Sequence, residues 1–248
     1  MSRSRSQSES VALDCRSDVT VAAHQPNYLP WLGYFHKIRA SDVFVFLDDV
    51  EYTSGSWINR NRIKTPDGWT WLTVPVRGGS SGPIADVTIA DEDWCETHRK
   101  SLQQNYGNAA RFDTVADLFE ETYARTRDSL CELNVHLVRE IANRLDLECR
   151  FVRSSSLGID ATKADRIVDI CSELDAGRYF SGTGARSYLD QSRFEANEVA
   201  LTYQSFDYPD YEQRFDGFIP ELSVVDALMN VGLDGTNELL QRMDADGG

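Results

Sequence analysis

His24, Gln25, Pro26, Asn27, Tyr28, Leu29 and Pro30 form the densest concentration of chemically useful groups in the chain. An imidazole can give or take a proton near neutral pH, or donate to a phosphate. Gln25 and Tyr28 add hydrogen-bonding groups suited to a substrate, and the prolines stiffen the turn. The competing role for His24 is a hydrogen bond to its own loop. A second cluster is Asp48-Asp49-Val50-Glu51-Tyr52. Successive strand residues point to opposite faces, so at most one of the two aspartates should face a site squarely. It could orient His24, bind a substrate amine or ribose, or hold magnesium. It could equally cap a turn. Tyr52 joins the candidates for substrate contact.

Two further segments carry groups suited to anions. Trp57 to Lys64 packs three cations and two amides into its last six residues, and Asn59, Arg60 and Lys64 are the binding candidates. Guanidinium forks and a lysine suit phosphate or carboxylate, although a solvated charged face has the same composition. Ser181-Gly182-Thr183-Gly184-Ala185-Arg186-Ser187-Tyr188 is a small, glycine-rich turn before an expected helix. Such turns can offer backbone N–H groups to an anion, so Ser181, Gly182, Gly184 and Tyr188 complete the candidate set. It is neither a P-loop nor a GxGxxG. Tyr208, Tyr211, Gln213 and Phe215 either line a pocket or pack. His36, His98 and His136 lack metal-ligand spacing, and the five cysteines form no C-x-x-C pair, so no metal site is expected. There is no G-x-S-x-G elbow.

The elements that must position these groups are legible as alternation. Residues 19–24 form an apolar run, 31–40 a short helix, and 42–50 a second apolar run ending in the two carboxylates. Strand, helix, strand in about 30 residues implies parallel pairing. Residues 69–77 read as another strand. Acidic residues ahead of WCETHRKSLQQNY predict a helix over 91–105, Val115, Leu118 and Phe119 on one face predict one over 113–127, and leucines and isoleucines at spacings of three and four predict one over 128–146. Strands over 149–155, 178–182 and 200–206 alternate with helices over 161–174 and 221–232, the last ended by Gly232 as a C′ glycine. The expected fold is a three-layer α/β domain with a mostly parallel sheet, spanning 18–240, with a helical insertion at about 91–146. The Ser/Arg-rich residues 1–17 read as a disordered tail.

Composition bounds the function. Of 248 residues, 40 are acidic and 25 basic, a net charge of -15 that disfavours general nucleic-acid binding. Only four of the bases are lysines, leaving 21 arginines. Acid-rich and lysine-poor is a pattern associated with cytoplasmic proteins of salt-loving microbes, whose self-repulsion salt screens. No apolar run approaches the roughly 18 residues of a membrane span, and no signal peptide is evident. Scattered cysteines fit a reducing cytosol, so the expected location is cytoplasmic.

HQPNYLPWLGYFHKI, SDVFVFLDDVEY, NRNRIK and WLTVPV, in that order, closely resemble the WbqC-like family. YFSGTGARSYLD, Tyr211-Glu212-Gln213 and the segment from Pro220 to Asp226 look like its remaining blocks. The resemblance covers roughly residues 19–232, with Glu51 standing where Gln is more usual. It implies a place in surface-polysaccharide clusters such as O-antigen loci, and acyl or aminoacyl transfer to an activated amino sugar. The implied substrate is a small molecule, a sugar nucleotide, and the implied partners are other glycan-biosynthesis enzymes. The cofactor stays open, with magnesium expected at the carboxylates if the donor is a nucleotide. The opening is also similar to that of HIGH-signature nucleotidylyltransferases, but Leu32-Gly33-Tyr34 interrupts the signature. Nucleotidylyl transfer and a non-catalytic glycan-pathway binding protein are therefore the alternatives.

Overall fold

The computed structural model describes residues 17–78, 81–90, 93–124, 128–187 and 189–245. The expected tail lies, up to residue 16, outside the described residues. In chain order the elements are β1 (Thr20–His24), α1 (Leu32–Arg39), β2 (Val43–Phe46), β3 (Arg60–Thr65), β4 (Gly68–Thr73), α2 (Trp94–Tyr106), α3 (Phe112–Ala124), α4 (Leu130–Arg144), β5 (Arg150–Arg153), α5 (Lys163–Glu173), β6 (Arg178–Ser181), α6 (Gln191–Glu195), β7 (Ala200–Tyr203) and α7 (Val224–Ala245).

Five strands form one parallel sheet in the order β5-β2-β1-β6-β7. β1 and β2 are apolar at nearly every position because both faces of the sheet are covered. Alternation divides them cleanly. Ala22, Phe44 and Phe46 enter one core with residues of α1, α4 and α7. Val21, Ala23, Val43 and Val45 enter the other with residues of α5 and α6. Helices thus sandwich the sheet, and each fully buried phenylalanine contributes about 1.5–3 kcal/mol. The chain runs from β1 outward through β2 to β5, then returns past β1 to β6. The strand order therefore reverses between β1 and β6, and a crevice opens at their carboxyl ends.

Local chemistry explains the other elements. α4 begins at Ser129, whose hydroxyl accepts from the Glu132 N–H at 3.3 Å, the S-x-x-E start signal. β3 and β4 form a separate antiparallel hairpin. β3 is the NRNRIK segment that composition alone presents as a charge cluster. Its Asn61 and Ile63 point inward while Arg60 and Arg62 point outward. At Gly232 the backbone takes φ 76 and ψ -172, a positive-φ kink that glycine permits but not the left-handed helical turn expected of a C′ glycine. The chain does not stop there. It resumes helix to Ala245 because Leu239, Leu240 and Met243 still have a core to enter.

One buried carboxylate ties α7 to α2 and to the loop at Tyr211. Asp226, in the first turn of α7, accepts from the hydroxyls of Tyr106 at 2.7 Å and Tyr211 at 2.8 Å. Burial raises its pKa, and those two bonds oppose the rise. Asp226→Ala leaves both hydroxyls without an acceptor and is expected to cost about 2–5 kcal/mol in chemical denaturation. Asp226→Asn, which keeps an acceptor oxygen, should cost much less. Equal losses in the two variants would rule out the hydrogen bonds as the cause.

Candidate functional site

His24 is the last residue of β1, at the edge of the β1/β6 crevice. Its Nδ1 lies 3.1 Å from the Gln25 carbonyl. A carbonyl only accepts, so Nδ1 carries the proton and Nε2 keeps its lone pair. The Tyr34 hydroxyl donates to the same carbonyl at 3.0 Å, and the two rings sit 4.9 Å apart. One edge of the imidazole meets the crevice, while protein surrounds its other sides. Burial, helped by Lys37, pushes its pKa down to about 3, so the ring is neutral at pH 7.

Three adjoining cavities meet at His24. The first, about 410 Å³, is lined by Gln25, Ser181, Gly182 and Gly184, all singled out in the sequence, and by Lys37, Lys163 and Arg166. The second, about 560 Å³, shares His24, Lys37, Gly182 and Gly184 and extends over Trp31, Phe206 and Tyr208. The third, about 280 Å³, runs past Asn27 and Trp31 to Trp57 and Arg62. Trp31 stacks on Tyr208 at 11° with centroids 6.0 Å apart. Gly33 makes room for it, since a side chain there would collide with the indole. Among the described residues, three cations and no carboxylate line the first cavity, in a chain with far more acids than bases. Such a cavity suits an anion.

The other candidates sit elsewhere. Tyr28 is fully buried. His98 Nε2 faces the Thr73 carbonyl at 3.1 Å, so its Nδ1 accepts from the Tyr28 hydroxyl at 2.8 Å. Tyr28 in turn accepts from Tyr123 at 2.7 Å. This is a core network, away from the cleft. Asp48 takes the capping role: its oxygens accept from the Ser155 N–H at 3.0 Å and hydroxyl at 2.8 Å. Asp49 pairs with Arg166 and accepts from the Ser154 hydroxyl. It reaches the site only through that arginine. With both carboxylates committed in this way, the pair does not fit a magnesium ion. Nor do the described residues contain a group of three His, Cys, Asp or Glu side chains able to hold a metal.

Tyr52 packs in the core with its pKa raised by burial. Asn59 donates to the Val74 carbonyl at 3.1 Å. The Arg60 guanidinium lies 4.1 Å above the Trp71 ring. Lys64 is 1% exposed, and its ammonium holds Gln213 Oε1 at 3.1 Å and the Phe215 carbonyl at 3.3 Å, with the Gly217 carbonyl as a third partner. Lys64 is therefore a clamp on residues 213–217, far from free to meet a phosphate. Tyr188 lies outside the described residues. Lys37, Lys163 and Arg166 went unmarked in the sequence because each reads there as the polar face of a helix. One cue exists: two of the four lysines line this cavity.

The sequence pattern of the WbqC-like protein family matches residues 25–238, which include the loop, the hairpin, the glycine turn and most of α7. The chain belongs to that family. A relative, an uncharacterized protein of Mycobacterium tuberculosis, is 37% identical over 223 residues, 88% of this chain and 96% of its own length. No solved structure matches the chain. Among the described residues of this WbqC-like protein, no helix is long and apolar enough to cross a membrane.

Two expectations follow. The folded pKa of His24 lies below the ordinary 6.5, so the folded state binds fewer protons than the unfolded chain between those values. Its contribution to stability is whole above about pH 6.5 and is lost as pH falls toward 3. His24→Gln should flatten that part of the acid limb, and the His24 ring signals in an NMR titration should stay neutral at pH 5. Protonation near pH 6.5 would contradict the enclosed environment. Tyr28→Phe should destabilise by about 1–3 kcal/mol and leave ligand-induced thermal shifts unchanged. A loss of ligand binding without a loss of stability would return Tyr28 to the site.

Proposed function

We propose that this WbqC-like protein is a cytoplasmic transferase, a single α/β domain over residues 18–240, acting on an activated, phosphate-linked amino sugar in surface-glycan assembly. The observation that carries the reading is the first cavity: cationic, free of lining carboxylates among the described residues, and placed with a neutral His24 where the strand order reverses. Open α/β sheets bind ligands at that point. Lys163 supplies charge to the anionic part of the donor or acceptor, and Arg166, already paired with Asp49, offers it the remaining guanidinium N–H groups. The Ser181–Gly184 turn lies opposite, where its backbone can meet an oxyanion. The family resemblance supplies the sugar and the acyl or aminoacyl group.

The chemistry is then short. The sugar amine attacks the acyl carbonyl, a C–N bond forms, and the bond from that carbon to its leaving group breaks. The amine proton passes to His24 Nε2, whose lone pair faces outward, and from there to the leaving group. A base with a pKa near 3 is weak by itself. A bound anion raises it by attraction, so the base strengthens only when substrate is present.

The strand order also favours a second reading, nucleotidylyl transfer, because that order is shared with nucleotide-binding folds. A thermal-shift screen in high salt with magnesium separates them, using ATP, CTP, coenzyme A and amino-sugar nucleotides. At a hundredfold excess over Kd a true ligand adds about 2.7 kcal/mol, a rise of roughly 5–10 °C for a chain of this size. The expected result is a shift with a sugar nucleotide or acyl donor that is lost in Arg166→Met. His24→Ala should retain the shift and lose turnover. A shift with a triphosphate, together with pyrophosphate release, would replace the transferase reading with the second one. Ligand shifts without turnover against every acyl donor would favour a non-catalytic binding protein.

A further inference from the structure

Lys37 is a charged group that the fold itself leaves unexplained. It projects from α1, is 4% exposed, and lines both the first and second cavities. Among the described residues no hydrogen bond or ion pair reaches its ammonium. The other buried lysine shows the contrast, since Lys64 has three oxygen partners. The Lys37 stem is packed in protein while its tip opens on the two cavities, and an ammonium so placed, with no partner in the protein, is left to a ligand or water. Burial alone lowers its pKa to about 8. Its surroundings fix its place closely: a Cβ on Gly182 would come within 3.3 Å of Nζ. A side chain at position 182 would crowd the amine, so glycine leaves it open. His24, Lys37, Gly182 and Gly184 are the residues common to the first two cavities. They form a waist, with the Lys163 and Arg166 lobe on one side and the aromatic lobe of Trp31, Phe206 and Tyr208 on the other.

We infer that the Lys37 ammonium binds a phosphoryl group of the ligand at this waist, beside His24. The inference rests on the anionic-ligand reading above and adds the group that touches the phosphoryl oxygens. The ligand supplies the missing counter-charge, and its uncharged body continues into the aromatic lobe. Lys163 and Arg166 then hold a neighbouring anionic group of the same ligand, as a diphosphate would present.

Pyrophosphate is the probe. With only four lysines, acetylation by acetic anhydride followed by peptide mass spectrometry reads each amine separately. Lys100, whose side chain is 75% exposed, is the internal reference. The expected result is that pyrophosphate at ten times its Kd slows Lys37 acetylation about tenfold while Lys100 is unchanged. Unchanged Lys37 labelling at saturating pyrophosphate would overturn the inference. So would protection by citrate but not by pyrophosphate, which would assign the site to carboxylates. This arm needs no variant. In calorimetry, Lys37→Met should weaken pyrophosphate about 10- to 100-fold, the loss of a charge-assisted hydrogen bond. Its melting temperature should be no lower than the wild type's, because the ammonium removed makes no hydrogen bond or ion pair among the described residues. If Arg166→Met weakens pyrophosphate and Lys37→Met does not, the inference fails while the anionic cleft stands. If the wild-type protein does not bind pyrophosphate, the cleft reading itself fails.

Discussion

The carbonyl groups of Pro26, Tyr28, Leu29 and Pro30 lie in a buried loop with no strand or helix to answer them. Left alone, each would cost on the order of 1–3 kcal/mol. Distant segments satisfy all four. Asn134 on α4 donates to Pro26 at 2.8 Å and also to Ile58 at 2.7 Å. Asn61 on β3 donates to Leu29 at 2.8 Å and Tyr28 at 3.3 Å. The Ser223 hydroxyl donates to Leu29 at 2.7 Å, and the Val224 N–H to Pro30 at 2.9 Å. Leu29 is held at φ 42, a left-handed conformation disfavoured by roughly 1–2 kcal/mol for a residue with a Cβ. The fold sustains that conformation because α4, the hairpin and the start of α7 all grip the same few residues. His24 is positioned by this grip: β1 fixes one side of it and the clamped loop fixes the other.

The sheet adds a second constraint. A parallel pair needs a crossover, and the first crossover here is short, with only the loop and α1 between β1 and β2. The loop must therefore turn directly above the carboxyl end of β1. The later crossover to β6 brings the glycine turn to the same edge. Neither group was recruited from afar. The reversal of strand order places the two strand ends side by side, and what lies just past each end becomes a wall of the crevice. Gln25 and Ser181, 156 positions apart in the chain, face one cavity for that reason.

Much of this was legible from patterns that burial imposes on sequence. Runs such as VFVF exist because both faces of β2 are covered, and α4 shows its apolar stripe and its serine cap. Of the four chemical clusters, His24-Gln25 and Ser181-Gly182-Gly184 line the first cavity, and Trp57, Asn61 and Arg62 line the third. The remaining candidates misled because polar side chains that build a core look like polar side chains that bind a ligand. Asn59, Asn61 and Lys64 answer backbone carbonyls, Asp48 caps the turn at Ser155, and Tyr28 bonds to His98. The sequence neighbourhood of each is indistinguishable from a binding motif until its partner, 15 to 153 positions away, is known. Lys37 and Arg166 escaped for the converse reason. On a helix a charged residue ordinarily marks a solvent face, and only the packing of α1 and α5 against the sheet places these two on the cleft. Lys163, at the head of α5, carries the same ambiguity.

The electrostatics of the cleft follow from enclosure more than from net charge. An overall charge of -15 favours protonation of every base, yet His24 and Lys37 are both shifted the other way. The distant carboxylates act through water, where charges beyond about 10 Å are largely screened at 0.1 M salt. Loss of hydration acts at contact and is not screened, so it dominates. The same asymmetry governs a ligand. An anion approaching the molecule meets a repulsive surface whose reach shrinks as salt rises. Once inside, it meets Lys37, Lys163 and Arg166 across short distances that salt penetrates poorly. Raising ionic strength therefore weakens the barrier to entry more than the attraction within. The attraction of an enclosed cationic cleft for an anion therefore survives salt better than the repulsion of the acidic surface does.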